Sequence, residues 1–326
     1  MTFMMLNTKK EPFDPVEFRF WYPPEGKKLT IGADKKKIYV PQIPLPIRSA
    51  DMSDSSDPSE KTIGDGIYEY LCHFSFCRHA AEYAKILQQD YPFLISDINA
   101  QLVLLDVKAV ESSGLQRKIA LLKILHHLNP DNFELLHKIG IAHFDLGLDY
   151  SELDHVVQQM KEARSWLEKA RRQAPDDLKN LNYLGQVCYF NGDYHQAKLY
   201  WQMVVDKLEA GEAKDELVVI LERIISGDIP EQFMVESLET VGAAMEYFNL
   251  EEYEDACDIM EKLVEAGSLP RELPSPDFFY LLGRCREKCK NLSGAFESFS
   301  IAEELDKNYA AARQALERVM QVSARS

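Results

Sequence analysis

The chain has 326 residues, 46% of them hydrophobic and 28% charged, a balance that excludes a disordered polar chain. No run reaches the roughly 18–20 apolar residues needed to span a bilayer, and Met1–Lys10 lacks an apolar signal core, so membrane insertion and export by a cleaved signal are not expected. The net charge is −16, and because residues 1–60 carry nine Lys/Arg and nine Asp/Glu, the whole excess lies beyond them; such a body repels phosphate backbones and argues against nucleic acid as a partner.

Residues 1–60 read as a separate N-terminal arm and linker holding eight of the fifteen prolines. Val16, Phe18 and Phe20 alternate with Glu17 and Arg19, the Pro23–Gly26 stretch offers a turn, and Leu29 and Ile31 follow, which predicts a short β-hairpin. Val40–Ile47, with Pro41, Pro44 and Pro46, is expected to be extended in polyproline II form, and Asp51–Glu60 to be a flexible linker. The aromatic content of the arm (Phe18, Phe20, Trp21, Tyr22, Tyr39) is too apolar for a free tail. It is expected either to fold back along the rest of the chain or to pair with another subunit, so homo-oligomerisation stays open.

From about residue 62 the apolar residues recur at three- and four-residue spacing, the mark of helices, and no strand is expected. Proline and glycine fall where helices should stop: Pro92, Pro130, Pro175, Gly211, Gly227, Pro230 and the Gly267–Pro276 stretch. Within this part a small residue is followed twelve positions later by another, and then by a bulky one. The triplets are Gly185, Ala197 and Trp201; Gly283, Ala295 and Phe299; and Ala244, Ala256 and Met260. Leu136, Ile139 and Gly140 open a further copy, which Ala163, Leu167, Ala170 and Pro175 close after an insertion around Leu148–Gln158. Two antiparallel helices approach closely only where small side chains meet, so Gly185 and Ala197 are expected to form the contact, with Leu184 and Trp201 beside it.

These residues resemble the tetratricopeptide repeat family, whose unit is a helix–turn–helix of about 34 residues. The resemblance covers residues 133–177, 178–211, 237–270 and 276–309. It extends to 99–132 through Leu102, Leu105, Gly114, Leu122, Leu125 and Pro130, and to 61–94 through Ala80, Ala84, Leu87 and Pro92. It implies an all-α, right-handed superhelical solenoid of antiparallel helix pairs, in which each hairpin covers the apolar face of the next. Residues 61–211 would form a first subarray, 212–236 an intervening helix over Asp215–Ser226, and 237–326 a second subarray. Ala311–Val322 would cap the array, with Leu316, Val319 and Met320 inward.

The resemblance further implies a non-enzymatic adaptor or scaffold in the cytoplasm that takes a protein or peptide on a concave surface. Carried over by register, that surface holds His137, Lys138, Ile141, Phe144 and Asp145, then Asn182, Tyr183, Gln186, Tyr189 and Phe190. Met245, Phe248, Asn249, Tyr280, Arg284, Glu287 and Lys288 continue it. Aromatics beside amides suit a peptide with apolar anchors, although Tyr189 and Phe190 fit inter-helix packing equally well. The acidic run Glu246, Glu251, Glu252, Glu254, Asp255, Asp258, Glu261 and Glu265 is compatible with a basic partner and also with a solvated helix face. A chaperone for an apolar secreted or assembling protein and a regulatory subunit of an enzyme complex are the alternatives. No phosphate loop, Gly-x-Ser-x-Gly elbow or His-Glu-x-x-His motif occurs, so no catalysis and no cofactor are expected. Cys72-His73 and Cys77-Arg78-His79 lack the tight paired spacing of a zinc site, and no metal is expected. The six cysteines read as buried hydrophobes in a reducing compartment.

Overall fold

The structure is a computed structural model that describes residues 17–31, 36–52, 57–107 and 112–323. Among the described residues four short strands come first: β1 (Phe18–Trp21), β2 (Lys28–Ile31), β3 (Lys36–Tyr39) and β4 (Leu45–Arg48). The helices follow as α1 (Glu60–His73), α2 (Ala80–Asp90), α3 (Pro92–Val107), α4 (Ser112–Leu128), α5 (Phe133–Gly147) and α6 (Val156–Gln173). After them come α7 (Leu178–Phe190), α8 (Tyr194–Val205), α9 (Glu212–Ser226), α10 (Met234–Asn249) and α11 (Tyr253–Ala266). The last are the single turn α12 (Ser268–Glu272), α13 (Pro276–Lys288), α14 (Leu292–Leu305) and α15 (Ala310–Ser323). Beyond residue 60 the described residues contain no strand, as the spacing predicts.

The chain divides into two compact units, and the division falls inside α5 and α6 instead of at 212–236. Of the described residues, one unit comprises those up to His143 together with Trp166–Pro175; the other comprises Phe144–Ser165 and those from Asp176 onward.

In the first unit the expected hairpin of β1 with β2 is replaced by a nested pairing. β1 runs antiparallel to β4, with Phe18 opposite Arg48 and Trp21 opposite Leu45, while β2 pairs with β3. Burial decides this arrangement. Leu45 and Ile47 lie against α1 in one core with Trp21, Ile63, Ile67, Leu71 and Tyr83. Gly66 lets the Pro46 carbonyl touch the helix backbone, and Tyr83 Oη donates to the Pro44 carbonyl. The expected polyproline segment therefore ends as a strand, with Pro46 tolerated because a two-stranded sheet has only edges. The described part of the proline-rich arm thus packs on α1. Val16 and part of the expected linker lie outside the described residues; Ser59, which belongs to it, caps α1 by accepting from Thr62 N at 3.1 Å. In the α5–α6 hairpin, a Cβ on Gly140 would sit 2.6 Å from Leu167, so the glycine is what lets the leucine in.

The second unit repeats that device. Gly185 on α7 lies under the Trp201 indole of α8, and a Cβ on Gly283 of α13 would be 2.5 Å from the Phe299 ring of α14. The expected contact is thereby refined, since the small residue on the first helix receives the bulky residue of the second. Ala197, Ala244, Ala256, Met260 and Ala295 are completely buried. The insertion after α5 supplies the 3-10 turn Leu153–His155, whose Leu153 rests 3.3 Å from where a Cβ on Gly242 of α10 would be. The expected intervening helix is α9, which packs on α8. In α15 the inward side is Ala312, Ala315 and Val319, which share one stripe at i, i+3 and i+7; Met320, one residue past that stripe, is 59% exposed, contrary to expectation.

Helix starts are set by side chains that accept from freed backbone N–H groups: Asp177 from Asn180 N at 2.8 Å, Ser275 from Asp277 N at 3.2 Å and Asn291 from Gly294 N at 3.0 Å. Asp177→Ala is expected to lower stability by about 1 kcal/mol in urea unfolding, whereas Asp177→Asn should change it by far less.

Candidate interaction surfaces

In the second unit three of the residues expected to face a partner, Phe144, Tyr189 and Phe190, pack inward. Phe144 is 5% exposed and meets Tyr183 and Phe190 edge-on, each at 5.7 Å between ring centroids. Tyr189 is buried, lies 5.6 Å from Trp201, and donates from Oη to Glu272 Oε2 at 2.8 Å. Burial, then that acidic partner, push the Tyr189 hydroxyl well above the ordinary phenol range. Asn182 Oδ1 accepts from Trp201 Nε1 at 2.9 Å, so the amide serves the hairpin seam. Tyr183 and Gln186 remain half-exposed on α7. Arg284 lies over the rings of Phe248 at 5.4 Å and Tyr280 at 5.9 Å and donates to Tyr280 Oη at 3.3 Å.

In the first unit His137 is buried and stacked on Phe133, the rings 5.4 Å apart and 11° from parallel. Lys138 Nζ reaches Asp106 at 3.1 Å, where Lys118 also binds at 2.7 Å. Burial alone would raise the Asp106 carboxyl, but hydrogen bonds and charge from both lysines hold it below its ordinary value. Ile141 is half-exposed. Of the ten residues singled out, His137, Phe144, Tyr189 and Phe190 are therefore interior, and the other six keep a partly open side: Lys138, Ile141, Asn182, Tyr183, Gln186 and Arg284.

One open apolar feature of this unit is not revealed by the repeat register. α3 buries Leu94, Ile98 and Leu102 on one side. On the other it shows Phe93 at 61%, Val103 at 63%, Leu104 at 59% and Val107 at 80% exposure, with Ala100 between them. At 1.5 Å per residue the stripe is about 21 Å long. A helix apolar on both sides carries a readable signal: spacing of 93, 100, 103, 104 and 107 on one face and 94, 98 and 102 on the other. Among the described residues the grouping close enough to hold a metal is Glu152, Asp154 and His155, two of them exposed. No helix of the described residues is long and apolar enough to cross a membrane.

Antiparallel helix pairs, three of them seated by a glycine under a bulky side chain, make this an all-α helical repeat with a short β element in front among the described residues. No protein-family model and no curated protein matches the sequence. Among solved structures the chain is similar to a tetratricopeptide repeat protein from Parabacteroides merdae, at 17% identity over 78% of this chain and 99% of that one, with a TM-score of 0.39. It is also similar to a thermophilic tetratricopeptide protein in Thermus thermophilus, at 14% identity over 70% of this chain and 99% of that one, TM-score 0.28. A third is the tetratricopeptide domain of P58(IPK), at 10% identity over 80% and 78% of the two chains, TM-score 0.33.

Proposed function

We propose that the chain is a non-enzymatic adaptor that binds another protein through its helix surfaces, and that the exposed side of α3 is the main anchoring surface. The observation that carries this reading is the α3 stripe itself. Four large apolar side chains stay 59–80% exposed on a helix whose other side already contributes to the core, so folding alone does not require them. Side chains of this kind recover their hydration cost when an apolar partner segment covers them, at about 25 cal/mol per Å². Lys138 and Ile141, and on the other unit Tyr183 and Gln186, would add polar and apolar contacts for the same or further partner segments. An open apolar helix face also fits a chaperone holding an assembling protein, and the two readings differ in stoichiometry: a defined complex for the adaptor, a heterogeneous client set for the chaperone.

The test places a photo-crosslinking residue at position 104 in the native source. One stoichiometric protein adduct is expected. It should disappear in the Val103→Asp/Val107→Asp background while the far-ultraviolet circular dichroism stays unchanged. An adduct that persists undiminished in that background, or none at all, would refute the assignment.

A further inference from the structure

Three of the six cysteines gather here: Cys257 on α11, Cys285 on α13 and Cys289 just past the end of α13. Cys285 is completely buried, whereas Cys257 and Cys289 are each partly open to solvent. Cys289 Sγ lies 3.4 Å from the Tyr253 carbonyl, one helical turn before Cys257 on the same helix, so the sulfur sits at the first turn of α11, where Cys257 projects. After burial, Cys289 is the first neighbour that raises the Cys257 thiol, in keeping with a sulfur set beside that turn. One turn further along, Arg286 clamps Glu261 with two bonds of 2.7 Å each, which fixes the distance between the helices beside the sulfur pair.

The structure assigns Cys257 and Cys289 as a pair that closes into a disulfide between α11 and α13 when a peroxide reaches them. Cys285 is the wrong partner for Cys289. Residues four apart on a helix hold their Cβ atoms about 5–6 Å apart, and a disulfide needs about 3.5–4.5 Å. In the reaction one thiolate attacks the peroxide O–O bond and becomes a sulfenic acid, releasing hydroxide. The second thiolate attacks that sulfur and expels a second hydroxide, and the two thiol protons complete two waters, so the dithiol is oxidised as the peroxide is reduced. Burial first, then Cys289 itself, push the Cys257 thiol up to about 12, so Cys257 is the poorer first attacker and the sulfenic acid is expected to form on Cys289. The bond would lock two adjacent helices of the second unit and close a loop of about 30 residues in the unfolded chain, which is a stabilising constraint.

The full chain is treated with hydrogen peroxide, alkylated and digested without reductant. The expected result is a peptide pair linking Cys257 to Cys289, lighter by two hydrogen atoms than the sum of its thiols and separated by dithiothreitol. Oxidation should raise the melting temperature of the wild type and of Cys285→Ser by several degrees. Cys257→Ser and Cys289→Ser, folded by circular dichroism, should give neither link nor shift. Three results overturn the assignment: a bridge that includes Cys285, sulfinic acid at either residue without a link, or both thiols still alkylated after complete peroxide treatment.

Discussion

Gly185→Val is expected to cost the second unit about 3 kcal/mol or more, and even Gly185→Ala should destabilise it. The sign is diagnostic. On an ordinary helix, glycine to alanine adds about 1 kcal/mol of stability, because glycine loses the most backbone entropy on folding. Here the added Cβ would overlap the Trp201 indole, whose Nε1 is already held by Asn182 Oδ1 at 2.9 Å and whose ring is 3% exposed. The indole cannot swing aside without breaking that bond and opening a void against Tyr189. Valine adds two further methyl groups and a restricted χ1. Urea unfolding followed by Trp fluorescence measures the loss. Gly185→Ala combined with Trp201→Phe should be less destabilising than the sum of the single changes, because the smaller ring relieves the overlap. A Gly185→Ala variant as stable as the parent would mean that α7 and α8 do not nest as described. The same logic makes Gly283→Ala, under Phe299, a second test of the same sign.

The seam between paired helices was legible in the sequence because it depends on residue size at fixed spacing, and size is written in the residue type. Gly140, Gly185, Gly283, Ala244 and Ala256 all fall where the twelve-residue rule and its extended copy put them. What depends on distant pairing was not legible. The turn at Pro23–Gly26 does form, with Gly26 at φ +70° and Lys27 N donating to the Pro24 carbonyl at 3.1 Å. A local turn does not choose a strand's partner, however, and the choice fell to Leu45 and Ile47, which α1 buries. The candidate surface shows the same limit. Register places Tyr189 and Phe190 on the first helix of a hairpin, but only the three-dimensional neighbours Trp201, Glu272 and Phe144 show that both side chains are used up in packing. The α3 stripe was present as a pattern, but the repeat motif draws attention to Leu102 and Leu105, away from Val103, Leu104 and Val107.

Glu272→Ala is expected to lower the stability of the second unit by about 2 kcal/mol at neutral pH, less than a fully buried pair would lose, because its arginine partners are partly hydrated. The Glu272 side chain is 6% exposed. It accepts from Tyr189 Oη at 2.8 Å, from Arg271 Nε at 2.9 Å and from Arg223, whose Nη1 lies 3.3 Å from Oε2. Arg223 and Arg271 in turn meet on Asp228, at 3.2 and 2.9 Å, so one carboxylate ties α7, α9 and α12 through a shared network. Removing it leaves the Tyr189 hydroxyl without its acceptor inside the unit and two guanidinium groups with a single remaining acid. Burial alone would raise the Glu272 carboxyl. Hydrogen bonds from Arg223 and Tyr189, with the charge of Arg223, outweigh that and hold it below its ordinary value near 4.5. A carboxyl depressed in the folded state stabilises at pH above its unfolded value, and that contribution is lost as pH falls through the folded one. The wild type should therefore lose stability steeply below about pH 4.5, and Glu272→Ala, already lacking the contribution, should show a shallower acid limb. Glu272→Gln separates charge from contact. It keeps an acceptor for Tyr189 but no longer balances Arg223, so it should sit between the two proteins at pH 7 and converge on the wild type in acid. Equal acid limbs in all three proteins would place the acid sensitivity in other carboxylates and leave Glu272 as a packing residue.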